Sequence, residues 1–244
     1  MEISAFLIIM LILVSAGAAF VARVSGFGSG IFAMLFLPYL FGDTITAAAV
    51  SGLWSAVTAI ANAIKYRKSV QFKLIWPIII PAMILLTLSL QLSMNVPTGA
   101  MMVVLGIVLI LLSLYFLFFS HRIQLKASIP VSITVGSVGG ILSGLFSTGG
   151  PPIVLYLSSI LNDKILYFAT IQCYFAITDI YGIINRVLSG IITWKVLLFA
   201  AIGWIGSYIG NQLGTLVFDR LDGAKIKKII YIGMIISGIL MILK

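Results

Sequence analysis

Ser25-Gly26-Phe27-Gly28-Ser29-Gly30 and Ser147-Thr148-Gly149-Gly150-Pro151-Pro152 interrupt two apolar stretches of this 244-residue chain. With Gly28 laid on Gly150, the two halves run in step at a spacing of 122 residues. Each interrupted stretch is too long for one membrane crossing. Ile3 to Phe41 holds 39 residues and Ala127 to Asn162 holds 36, about 54–59 Å as helix against a hydrocarbon core of ~30 Å. Each is therefore read either as a hairpin that leaves on the side it entered, or as a long tilted helix followed by a short surface helix.

Composition sets the class. Hydrophobic residues make up 61% and charged residues 9% of the chain, and the mean hydropathy is +1.23. No water-soluble domain of this length hides so much apolar surface in one core, so the chain is a polytopic membrane protein embedded in a lipid bilayer. Met1-Glu2-Ile3-Ser4 lacks a basic leader, and the apolar run behind it lacks a cleavage site, so the first segment reads as retained. Cys173 is the single cysteine, which excludes an intrachain disulfide and a cysteine-based metal cluster. The net charge of +9 sits in short loops, where it orients the chain, and nucleic-acid binding is not expected. No cofactor motif, metal-ligand spacing or nucleophile triad is present, so no enzyme is read here.

Charges punctuate the remaining spans. The expected architecture is all-α, with two repeats covering residues 1–122 and 123–244. The first repeat holds a broken hairpin over 3–41 and helices at about 44–64, 74–92 and 97–120. The second holds a broken hairpin over 127–162 and helices at about 165–186, 196–218 and 226–243. If each broken segment crosses once, the basic residues outside the first segment split nine against five between the two faces. If each is a hairpin, the split is eleven against three: Lys65, Arg67, Lys68, Lys73, Arg122, Lys126, Lys164, Arg220, Lys225, Lys227 and Lys228 face Arg186, Lys195 and Lys244. The positive-inside rule prefers the stronger asymmetry. The expectation is thus two inverted repeats, each a broken hairpin segment plus three transmembrane helices, with both termini outside the cytoplasm.

The interruptions are the candidate site. An unpaired backbone group in hydrocarbon costs several kcal/mol, so irregular backbone persists only inside protein or beside water. A helix restarting after each break, near Ile31 and Ile153, presents N–H groups without intrahelical partners and the positive end of its dipole. A duplicated broken segment points to a transporter's binding site; close-packing glycines between helices are the plainer alternative. The candidate anion-binding residues are Arg23, Ser25, Gly26, Gly28, Ser29, Gly30, Ser147, Thr148, Gly149, Gly150 and Pro151. Asp179 is a buried acid that either pairs with Arg23 or carries a coupling ion, H+ or Na+. Asn62, Gln172 and Asn185 are secondary candidates, with helix-to-helix hydrogen bonding as the simpler use. Arg186 reads as an interfacial anchor, His121 as solvated at a basic interface, and Trp54, Trp76, Trp194 and Trp204 as packing and interface anchors.

Ser25-Gly26-Phe27-Gly28-Ser29-Gly30 and the longer Gly144-Leu145-Phe146-Ser147-Thr148-Gly149-Gly150-Pro151-Pro152-Ile153-Val154-Leu155-Tyr156 resemble the repeat signatures of the sulfite exporter TauE/SafE family, the TSUP membrane permeases. The first departs from a more glycine-rich pattern frequent in that family. The resemblance implies a prokaryotic plasma-membrane permease for sulfite, an organosulfonate or another small anion. It carries the anion by alternating access, coupled to an ion gradient, with a homodimer as the candidate assembly. A passive anion channel, and a membrane sulfur carrier or enzyme using Cys173, are the alternatives.

Overall fold

The computed structural model describes residues 4–25, 27–118, 125–217 and 223–243, without the side chains of residues 25, 217 and 223–230. Gly26, His121, Arg122 and Arg220 lie outside the described residues, as do the side chains of Ser25, Lys225, Lys227 and Lys228. The described residues form ten α-helices and no strand: α1 (Ala5–Ser25), α2 (Ser29–Phe41), α3 (Thr44–Lys65), α4 (Phe72–Ser93), α5 (Thr98–Phe118), α6 (Ile129–Phe146), α7 (Gly150–Ile160), α8 (Lys164–Leu188), α9 (Trp194–Val217) and α10 (Gly223–Leu243). A 3-10 turn at Arg67–Ser69 joins α3 to α4. Among the described residues six helices, α1, α3, α4, α5, α6 and α9, are long and apolar enough to cross a membrane. Helix α8 has the length, at 25 residues, and carries Gln172, Asp179, Asn185 and Arg186 inside its run.

Helix starts are set by local chemistry. Asp43 caps α3, accepting the N–H groups of Ile45 and Thr46 at 2.8 Å each. Asp163 caps α8 in the same way, accepting from Ile165 at 2.8 Å and Leu166 at 2.9 Å. Each cap fills donors that a helix start leaves open, which is worth about 0.5–2 kcal/mol. Gly42 ends α2 in the left-handed region at φ 70, where a side chain is disfavoured.

Two glycine-lined seams join helices of different halves. On α9, Gly206 and Gly210 lie on the backbone carbonyls of Ile12 and Ala16 of α1, and Gly214 lies on the Arg23 stem and near the Phe20 carbonyl. On α6, Gly136, Gly140 and Gly144 lie on the carbonyls of Ile78, Ala82 and Leu86 of α4. In each seam both partners advance by four residues together, so the helices run parallel. Without Cβ atoms the backbones approach closely, which is how helices associate where lipid offers no hydrophobic drive.

Two further pairs of helices, also drawn from different halves, run in the opposite sense. Asn62 of α3 meets Gln172 of α8 while Ser55 meets Asp179, an antiparallel run. On α5, Gly106 meets Gly238 of α10 and Ser113 donates to the Tyr231 carbonyl at 2.6 Å, again antiparallel. Both short helices fold back on their predecessors: Phe32 packs over Gly17, and Tyr156 hydrogen-bonds Ser132 at 2.8 Å. Buried Met34, Leu37, Ile153 and Leu157 hold α2 and α7 in the core, so neither is a surface helix. Outward, Trp76, Ile80, Ile84, Leu88 and Leu92 form an exposed apolar stripe on α4, as a lipid-facing helix requires.

Candidate functional site

Both glycine breaks open into one cavity. Its lining includes Phe27, Gly28, Ser29, Gly30 and Ile31 from the first break, and Ser147, Thr148, Gly149, Gly150 and Pro151 from the second. The cavity measures about 60 Å³, room for on the order of four to six waters or one small oxyanion. Its walls come from the middle of α3 (Trp54, Ser55, Thr58, Ala59), of α8 (Gln172, Phe175, Asp179) and of α9 (Ser207). The breaks touch directly: a Cβ on Gly30 would collide with the Ser147 carbonyl oxygen.

The two breaks solve the backbone problem differently. Gly28 precedes α2 at φ 94 and supplies no side-chain cap. The first intrahelical bond is Phe32 N–H to the Gly28 carbonyl at 2.9 Å, so the N–H groups of Ser29, Gly30 and Ile31 form the open turn. Gly149 likewise gives α7 no side-chain cap. Pro151 and Pro152 have no N–H, which leaves Gly150 as the one donor among the first three residues of α7. The first break therefore carries more backbone donors than the second.

In the second break the left-handed residue is Ser147, at φ 53, a conformation that costs a side-chain-bearing residue about 1–2 kcal/mol. The turn closes with Ser147 N–H on the Ser143 carbonyl at 3.0 Å and Thr148 N–H on the Leu142 carbonyl at 3.3 Å. The Ser147 hydroxyl donates to the Ala48 carbonyl at 2.8 Å and accepts from Arg186 at 3.0 Å. Thr148 is 3% exposed and lines the cavity, yet its hydroxyl meets no partner among the described residues. A buried hydroxyl left open at a cavity is a group waiting for a ligand or water.

Arg186 is not an interfacial anchor. It is 4% exposed and donates to the carbonyls of Gly182 at 3.3 Å, Ser143 at 3.0 Å and Gly144 at 3.3 Å, as well as to Ser147. A buried cation on the last carbonyls of α6 complements the negative end of that helix. It lies behind the second break, bound to Ser143 and Ser147, both of which face the cavity. Sequence position alone suggested an anchor because Arg186 falls in the last turn of α8; only the tertiary contact assigns its partner.

The other candidates separate cleanly. Asp179 lines the cavity, with Ser55 as its hydrogen-bonding neighbour and Oδ2 unpartnered among the described residues. Arg23 turns to α9, where Nε donates to Thr215 at 3.0 Å, and it is not among the lining residues. Gln172 lines the cavity and accepts from Asn62 at 3.4 Å. Asn185 accepts from Thr87 at 3.1 Å and donates to the Tyr181 carbonyl at 2.9 Å, which joins α8 to α4. Cys173 is buried and away from the lining. Trp54 is buried over Gly203 and donates to Ala200 at 3.2 Å, while Trp76 and Trp194 face outward. Ser55, Thr58, Ser143 and Ser207 were not anticipated; small hydroxyls in apolar helices give no signal of which way they face.

A model of the family described as Sulfite exporter TauE/SafE matches residues 11–241. No curated protein and no solved structure matches the chain.

Proposed function

The chain belongs to the sulfite exporter TauE/SafE family, and we propose that it is a secondary transporter moving a small sulfur-containing anion, sulfite or an organosulfonate. The observation that carries this reading is the meeting of two uncapped helix starts, α2 and α7, at one small cavity. Backbone N–H groups, two positive helix ends and the hydroxyls of Ser29 and Thr148 suit a tetrahedral or pyramidal oxyanion. The absence of room for a large substrate follows from the cavity's volume.

The transport cycle is alternating access between two inverted repeats. The antiparallel runs of α3 with α8 and of α5 with α10 support the inversion, as does the return of α2 and α7 along their preceding helices. With Arg186 buried in the core, the basic residues left in the loops and at the C-terminus split eleven to two, Lys195 and Lys244 being the two, and this asymmetry supports both termini outside the cytoplasm. The glycine seams favour moving bodies made of α1 with α9 and of α4 with α6, in place of one repeat rocking as a unit against the other. Slippage along either seam would drive backbone into backbone.

Flux of sulfite and methanesulfonate into liposomes holding the purified protein tests the reading, with Gly30→Val as the control. Saturable, gradient-coupled uptake that Gly30→Val abolishes while the protein stays monodisperse is expected. Uncoupled flux would make the protein a channel, and no flux of any small anion would overturn the reading.

A further inference from the structure

The described chain has three acidic side chains, and two are committed to structure. Asp43 and Asp163 each fill both donors of a helix start. Asp179 caps no helix. It faces the cavity from the middle of α8, touches Ser55, and leaves Oδ2 without a partner among the described residues.

The charges around it are few. Arg186 stands seven residues on, two turns along the same helix, with its guanidinium bound to the end of α6. Of the elements packed on α8, α3 presents uncharged Ser55 at this level. Tyr156 of α7 is bonded to Ser132. Lys65, Arg67, Lys68 and Lys73 stand at the end of α3 and the start of α4, beside the first turns of α8, where Gln71 N–H meets Thr170. Among the described residues Arg186 is the cation bound directly behind the cavity wall, through Ser143 and Ser147, and set near the acid.

One positive charge balances one negative charge. With the cavity empty of anion, that negative charge is the Asp179 carboxylate. When an anion enters, two negative charges share a cavity of about 60 Å³, and each disfavours the ionised form of the other unless a further cation is present. Resting on the anion-transport reading above, we propose that Asp179 takes up a proton as the anion binds and releases it as the anion leaves, so that anion and proton travel together. The step is a plain proton transfer: an O–H bond forms on the Asp179 carboxylate with a proton from water on one face, and the proton returns to water on the other face.

The test uses methanesulfonate, whose charge is constant across the neutral range. Binding it to the wild-type protein in weakly buffered detergent solution should draw about one proton per anion from solution. Binding without proton uptake overturns the proposal on the wild-type protein alone. Affinity, read by thermal shift, should fall about tenfold per pH unit on the basic side, because the ionised carboxylate repels the anion. Asp179→Asn should bind with no pH slope and no proton uptake, and Asp179→Glu should restore both; a wild-type slope in Asp179→Asn overturns the proposal. In liposomes a proton gradient should drive accumulation, whereas accumulation driven by Na+ alone assigns a different coupling ion and overturns it. A protein that binds and moves no anion at all overturns the transport reading itself, a failure distinct from anion transport without protons.

Discussion

Ser147 and Arg186 show how much of the site depends on single side chains. Ser147 holds a left-handed turn that favours glycine, and the structure offsets that cost by giving its hydroxyl two partners on two other helices. Replacing Arg186 by Leu would strand the Gly144 carbonyl, leave the Ser143 carbonyl with the Ser147 N–H alone, and remove the counter-charge of Asp179. A loss of about 3–5 kcal/mol is expected, read as a clear drop in melting temperature in detergent; Arg186→Lys should recover only part of it, because an ammonium does not reproduce the guanidinium fork. Gly28 poses the reverse case. At φ 94, Gly28→Ala should cost about 1–2 kcal/mol and weaken anion binding by tilting the first turn of α2. Cys173→Ser should leave transport intact, since the thiol is buried away from the cavity lining; lost transport in a folded variant would revive sulfur chemistry.

At the scale of elements, the helices divide into those defined by their caps and those defined by their neighbours. Helices α3 and α8 begin at aspartates, and Asp43→Ala or Asp163→Ala should each destabilise by about 0.5–2 kcal/mol without changing which anion binds, measured by parallel melts and competition binding. Helices α2 and α7 follow glycines with no side-chain cap, which leaves the first N–H groups of α2 and the Gly150 N–H of α7 without intrahelical partners at the cavity lining. The seams obey a third logic. A side chain at Gly210 or Gly140 would run into the carbonyl of Ala16 or Ala82, so Gly210→Leu and Gly140→Leu should each cost about 3 kcal/mol or more. Failure of both variants to alter the melting temperature would mean that the seams are looser than their geometry implies.

For the molecule as a whole, the helix pairs of one half map onto those of the other. Helix α1 lies on α9 as α6 lies on α4, and α3 faces α8 as α5 faces α10. Each half therefore packs on the other through its long helices, while the short helix α7 packs on α6 and α8 of its own half. Orientation is tested by labelling cysteines placed at the two termini of a Cys173→Ser protein in intact cells. Both should react with an impermeant reagent from outside; protection of both would reverse the assignment of faces.

Sequence alone determined the class, an all-α polytopic membrane protein, and marked the glycine clusters at which two apolar stretches are interrupted. These are local properties: hydropathy accumulates along one span, and glycine and proline act on the backbone where they stand. It also brought out the candidates that prove to line the cavity, Gly28, Ser29, Gly30 and Ser147 to Pro151, because an uncapped helix start is written in consecutive residues. Tertiary structure alone decided that the two breaks share one cavity, that Asp179 faces it while Arg23 turns to α9, and that Arg186 is buried behind the second break. Those outcomes depend on how each helix is rotated about its own axis. That rotation follows from packing against partners many tens of residues away, such as Gly210 on Ala16, and no single apolar helix carries enough polarity to dictate it.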